Sequence, residues 1–257
     1  MYRAAVPVLA LLLVGCGPRA AQTPPMPNAP RVAASGPTVD RIRHEGVMRV
    51  AADLSYPPMA YRRDGTPAGF DVDLATLLAA SLGVRLRVID TPLSTMAGVG
   101  VPAGADAVLG GIPEGVVPGL SSGPYYVSRQ AILSIARRAV ESPRGLRGLH
   151  VAVAVGGRGA AVARDAGAIL DVTALPEQAL DEVALGRAQA AVADAPLVFN
   201  YAAEHPGLRA TGGVGAPVPF VVVVPREAHD LATFVSAALH DLDRDGGLAQ
   251  LRARWHL

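Results

Sequence analysis

The sequence predicts an α/β fold in which helices cover mainly parallel sheets, and three observations predict it. From Val47 onward, short apolar runs of strand length alternate with stretches whose apolar residues recur at helical spacing. Gly, Pro and Asp punctuate the joins between them. Two such series follow one another, divided by the apolar segment 131–136, without a clear internal repeat.

Taken in order, the chain opens with a short positive start, Met1, Tyr2 and Arg3. An apolar run over 4–14 follows, too short to span a bilayer as a permanent helix, and closes on Leu13-Val14-Gly15-Cys16. This spelling predicts a signal peptide over 1–15 that ends in a lipobox. Small residues let a peptidase reach the backbone, and the Cys16 thiol is the atom that takes diacylglycerol. An exported protein anchored at a membrane facing the periplasm or the exterior is expected. Residues 17–38 hold Pro18, Pro24, Pro25, Pro27, Pro30 and Pro37 with no apolar period, which predicts a semi-extended tether.

In the folded part, strands are expected over 47–52, 85–89 and 105–109. A turn falls at Tyr56-Pro57-Pro58, a hairpin at Arg63-Asp64-Gly65-Thr66, and a helix over 71–82 that places Leu74, Leu77, Leu78 and Leu82 on one face. The second series has strands over 149–155, 172–174 and 190–193, an Ala-rich helix after Gly156-Gly157-Arg158-Gly159, and a helix over 176–185. A strand over 219–224 follows. Leu231, Phe234, Val235, Ala238, Leu239 and Leu242 mark a long helix, and Leu248, Leu251 and Trp255 a final one.

Composition narrows the function. With 51% hydrophobic residues in 257, there is ample material for a core. The 23 basic residues, all Arg, nearly cancel 22 acidic ones, so no field gathers nucleic acid. One cysteine excludes an internal disulfide and a Cys-based metal site, and the six His form no zinc pattern. Gly119-Leu120-Ser121-Ser122-Gly123 has the hydrolase spelling, but Pro118 and Pro124 deny it the strand and helix that the elbow needs. Gly156-Gly157-Arg158-Gly159 lacks dinucleotide spacing and the P-loop Lys. No cofactor is expected.

Gly69-Phe70-Asp71-Val72-Asp73-Leu74 resembles the signature of the bacterial extracellular solute-binding proteins of the polar amino-acid class. As chemistry it reads as a helix entry, with Asp71 capping free amides and Asp73 adding charge in the first turn. The resemblance extends in order through Arg49 to Asp53, Tyr56-Pro57-Pro58, 122–128, 146–157, 185–194, Asp245-Gly246-Gly247 and Trp255. It implies a type II periplasmic-binding-protein-like fold with two αβ lobes, 39–130 with 219–257 and 131–218, joined by two crossing segments. It also implies a monomer that takes a small polar solute and serves the permease and ATPase of an ABC importer.

On that resemblance the ligand contacts are Asp53, Tyr56, Gly110, Gly111 and Asp194. Asp53 and Asp194 each end a strand, where α/β sheets place their crevice. Asp194, just before Pro196, also reads as a helix cap, and Tyr56 also reads as plain packing. The family's carboxylate-binding Arg is absent after Gly111, where the chain has Ile112-Pro113-Glu114-Gly115. A ligand carboxylate is then left to the amides of Gly110 and Gly111 or to Arg158, which otherwise reads as a solvated loop residue. Two alternatives stay open. One is an enzyme similar to cyclohexadienyl dehydratase, with Glu114 as acid or base; the other is a sensory or accessory binding protein without a transport role.

Overall fold

A computed structural model describes residues 24–257, so Cys16 and the expected signal peptide lie outside the described residues. Helix α1 (Pro37–Glu45) leads into β1 (Val47–Ala52), and β2 (Ser55–Tyr56), β3 (Ala60–Arg63) and β4 (Thr66–Ala68) form a small meander. Next come α2 (Phe70–Ser81), β5 (Arg85–Asp90), α3 (Leu93–Val99), β6 (Ala107–Val108) and β7 (Leu120–Ser121). The long β8 (Tyr126–Ile135) carries the chain away to β9 (His150–Ala154), α4 (Arg158–Asp165), β10 (Ile169–Thr173), α5 (Pro176–Ala184), β11 (Ala190–Asp194) and α6 (Ala195–Glu204). It returns along β12 (Leu208–Phe220) to β13 (Val223–Val224), α7 (His229–Arg244) and α8 (Gly247–Arg254).

These strands make two five-stranded sheets, ordered β5-β1-β6-β13-β7 and β10-β9-β11-β8-β12, beside the three-stranded meander. Within each, β1 runs parallel to β5 and β6, and β9 runs parallel to β10 and β11. Strands β8 and β12 are antiparallel partners from Tyr126 opposite Phe220 to Ile135 opposite Leu208. They bridge the two sheets and form the two crossings of a type II binding-protein fold. The expected strand over 219–224 is divided between the end of β12 and β13.

The first sheet is covered by α1, α2, α7 and α8 around one core in which Phe70, Leu74, Leu78, Leu231, Phe234 and Val235 are buried. Their spacing is the helical period that marked these segments in the sequence. The second sheet has apolar clusters on both faces, Leu180 and Val183 of α5 on one and Ala163 of α4 on the other.

Two expectations are corrected here. The Pro-rich segment, read as a tether to residue 38, packs against the first lobe over its described part, and α1 already begins at Pro37. Met26, Ala29, Val32 and Ala34 lie against the core. Having no internal hydrogen bonds, the extended chain offers its carbonyls outward. Ser81 donates to Pro30 at 2.6 Å and Gln250 to Pro25 at 3.0 Å. Asp71 does not cap α2 either. The amides of Phe70 and Asp71 donate to the carbonyls of Pro58 (2.9 Å) and Met59 (2.8 Å), so the preceding loop satisfies the first turn. Asp73 accepts from Trp255 Nε1 at 2.9 Å and Arg254 Nε at 3.0 Å, fastening the C-terminal helix.

Candidate functional site

The loops at the C-terminal ends of β1, β6, β9 and β11 face one another across a cleft of about 860 Å³ between the two sheets. Asp53, Tyr56, Gly111, Arg158 and Asp194 all line it. Such a crevice at strand ends is where open α/β sheets bind ligands.

Asp194 is the polar centre. It occupies the N-cap position of α6, yet its side chain makes no capping bond. The carboxylate turns into the cleft instead. Its Oδ2 accepts the Tyr56 hydroxyl at 3.2 Å, and its Oδ1 accepts Arg158 Nη2 at 2.8 Å and the Gln130 amide. The Tyr56 bond joins the lobes, because Tyr56 belongs to β2 and Asp194 to β11.

Local packing fixes each partner. Arg158 opens α4, and the next residue, Gly159, sits where a Cβ would come within 2.1 Å of the Val192 carbonyl. Only glycine lets α4 approach β11 closely enough to lay the guanidinium on Asp194. Tyr56 has its ring against Gly111, where a Cβ would fall 2.5 Å from the ring, and edge-on to Phe220 at 6.4 Å. Burial, and then the negative charge of Asp194, hold the Tyr56 hydroxyl well above its ordinary pKa, so it stays a donor. Gln130 is buried in β8, one of the crossing strands. Nothing singled it out in the sequence, where it stands among Ser128, Arg129 and Ser134 in the same strand.

The first-lobe wall is arranged differently. Asp53 accepts the Ser55 amide (3.1 Å) and hydroxyl (2.6 Å) on Oδ1, and on Oδ2 the Leu93 amide that begins α3, at 2.8 Å. It closes its own turn and caps a helix. The amide of Gly111 donates to the Tyr125 hydroxyl at 3.3 Å, away from the cleft, and Gly110 lies behind the lining. The expectation that the Gly111 amide faces a ligand carboxylate is corrected by this turn of the backbone. Arg62, which the sequence reading passed over, lines the cleft but is held by Asp90 at 2.8 Å and the Gly65 carbonyl at 3.0 Å. Glu114 is exposed and outside the lining.

Beneath this wall Asp71 is buried with neither carboxyl oxygen in a well-formed hydrogen bond. Burial pushes it up to about 8, against a weaker downward pull from the Tyr125 hydroxyl and the Gly111 amide nearby.

Among known proteins, the chain is similar to a probable amino-acid ABC transporter-binding protein of Haemophilus influenzae, 25% identical over 229 residues that cover 86% of this chain and 89% of that one. A 54-residue stretch is 52% identical to cyclohexadienyl dehydratase of Pseudomonas aeruginosa, but it covers only 21% of this chain and 20% of the enzyme. Among solved structures, an ancestral cationic amino acid solute binding protein superposes with a TM-score of 0.77 at 26% identity, covering 85% of this chain and 99% of that one. The lobes, the two crossings and the cleft thus agree with a match that runs over residues 48–257, and the chain belongs to the bacterial extracellular solute-binding proteins, family 3.

Proposed function

We propose that the protein is an exported receptor that captures an amino acid in the cleft and, closed over it by bending at β8 and β12, delivers it to an ABC importer. The observation that carries this reading is the convergence of Tyr56 from one lobe, and Gln130 and Arg158 from the other, on the single carboxylate of Asp194. A zwitterionic head group fits this cluster. Its ammonium meets Asp194 and its carboxylate meets Arg158, both through charge-assisted hydrogen bonds. Arg158 thereby takes the role left vacant after Gly111, from the opposite lobe. Tyr56 closes the group from above, and Asp53 shapes the loop beside it. Hinge closure gives the ligand a differential affinity for the closed form, which a permease then recognises.

The reading is of a receptor and not of an enzyme, since Glu114, on which the dehydratase alternative rests, stands outside the cleft lining. The relatives matched along most of their length support it: the Haemophilus protein carries an amino-acid transporter-binding name.

A thermal-shift panel of the standard amino acids tests it. A true ligand at about a hundred times its dissociation constant should stabilise the protein by about 2.7 kcal/mol. If no amino acid raises the melting temperature, the receptor reading fails. Anchoring through Cys16 belongs to the same proposal and has its own check. Cys16→Ser should shift the protein from the membrane fraction to the soluble one, and unchanged membrane association would remove the anchor.

A further inference from the structure

The receptor reading above, on which this inference rests, leaves the ligand's side chain unassigned, and the charges that line the cleft bear on it. We infer that Glu177 sets the specificity of the cleft: the ligand is a basic amino acid whose head group lies on Arg158 and Asp194 and whose side-chain cation is met by the Glu177 carboxylate.

Three carboxylates line the cleft, Asp53, Glu177 and Asp194, against two guanidiniums, Arg62 and Arg158. Four of these five are engaged: Asp53 with Ser55 and Leu93, Arg62 with Asp90, and Arg158 with Asp194. Glu177, half-buried in the first turn of α5, has no hydrogen-bond or ion-pair partner among the described residues. Its neighbour Gln178 closes the helix start instead, with Oε1 accepting the amides of Ala174 and Leu175 at 3.2 Å. A zwitterionic head group exchanges like for like at the pair of Arg158 and Asp194, ammonium for guanidinium and carboxylate for carboxylate. The surplus negative charge at Glu177 is therefore untouched by it. In the open cleft, water satisfies such a carboxylate. Hinge closure removes that water, and a lone ion in a drier place is costly unless a cation meets it. A neutral side chain leaves Glu177 unpaired in the closed form, and an acidic one adds to the surplus. A basic side chain supplies the missing cation, and its gain grows as the lobes close, which gives the ligand its differential affinity for the closed form.

The sheet sets the reach. Strands β10, β9 and β11 are adjacent and parallel, and Glu177 follows β10, Arg158 follows β9 and Asp194 ends β11. The three charged groups thus form a row along the strand ends, negative, positive, negative. Neighbouring strands lie about 4.8 Å apart, so the strands that lead to the two carboxylates are about 10 Å apart. A ligand held by its head group at Arg158 and Asp194 can lay a long side chain across the strand ends toward Glu177. Arginine and lysine have both the length and the charge.

The test sets arginine against citrulline and lysine against norleucine, pairs that share length and differ in the cation, by isothermal calorimetry on the protein. The expected result is that in at least one pair the basic member binds about tenfold or more tightly than its neutral counterpart. A smaller ratio in both pairs overturns the basic assignment and leaves the receptor reading standing. If none of the four binds, the basic assignment fails as well, and the panel of standard amino acids decides the receptor reading separately. Glu177→Gln keeps the shape and removes the charge, and it should lower the ratio about tenfold. A variant that melts like the parent and keeps the parent's ratio would remove Glu177 from the site and overturn the inference.

Discussion

The two walls of the cleft are built from the same kinds of residue and use them in opposite ways. On the second lobe, Asp194 forgoes the capping bond that its position offers and gathers Arg158 and Gln130 at the cleft. On the first lobe, Asp53 ends a strand in the same manner but accepts from Ser55 and Leu93 of its own lobe. Arg62 on the meander pairs with Asp90, and Arg158 pairs with Asp194. The difference teaches that the placing of its donors decides whether a strand-end carboxylate turns into the cleft, as Asp194 does, or back onto its own loops, as Asp53 does. On the reading proposed above, Asp194 and Arg158 of the second lobe meet the head group, and the first lobe adds the Tyr56 hydroxyl.

The largest effect that tests this asymmetry is expected from Asp194→Ala. It removes the acceptor of three donors, leaves the Gln130 amide buried without its partner, and frees Arg158 from its orientation. The ion pair itself is partly exposed, 41% on the Arg158 side and 27% on the Asp194 side, so its loss costs little stability on its own. Ligand affinity should nevertheless fall by about a hundredfold or more, because a charged head group is left without its counter-charge in a partly dry cleft. Calorimetry with the ligand found in the panel measures it, and retained affinity would move recognition to the first lobe. Arg158→Ala should cost less, about tenfold, and only for ligands that carry a carboxylate.

A second contrast lies beneath the walls. The first lobe stands over Asp71, a buried carboxyl held up to about 8 by burial. Its folded value lies above the ordinary 3.8, so between these values the native protein keeps a proton that the unfolded chain has released. Stability from this group therefore falls as pH rises from about 4 to about 8, and is level above that. Asp71→Asn mimics the neutral acid at every pH. Urea unfolding at pH 4, 7 and 9 should show the variant close to the parent at pH 4 and more stable at pH 9, by on the order of 2 kcal/mol or more. A constant difference across this range would mean that Asp71 is ionised in the fold.

How much of this the sequence carried depends on the range of the forces involved. Helices α2 and α7 were legible because Leu74, Leu77 and Leu78, and Leu231, Phe234 and Val235, repeat at a local period that burial requires. The full length of β12 was not, since Gly212, Gly213, Gly215 and Pro217 break its pattern and register shifts interrupt its pairing between Thr211 and Val218. The packed segment 24–36 was read as a tether because its partners, Ser81 and Gln250, are remote in sequence. Proline spacing says only that such a chain is extended, not what it lies on. The cleft followed the same division. The strand-end positions of Asp53 and Asp194 were legible, and the turn of the Gly111 amide toward Tyr125 was not, because it depends on where a distant ring packs.

The smallest expected effect discriminates most finely between the walls. Asp53→Ala removes the bond to the Leu93 amide and both bonds to Ser55, all of them local to the first lobe. A lost helix cap costs about 1 kcal/mol, so a loss of about that size in unfolding free energy is expected. Affinity for the ligand should change by less than about threefold, since the group that meets the ammonium is untouched. The contrast with Asp194→Ala is then one of affinity, since that variant also loses stability through the unpartnered Gln130 amide, while Asp53→Ala leaves the ligand's affinity nearly intact. A loss of affinity at Asp53 comparable with that at Asp194 would make the two walls partners in holding the head group. The hydrogen bonds from Ser55 and Leu93 would then be the means by which the first lobe aims its carboxylate.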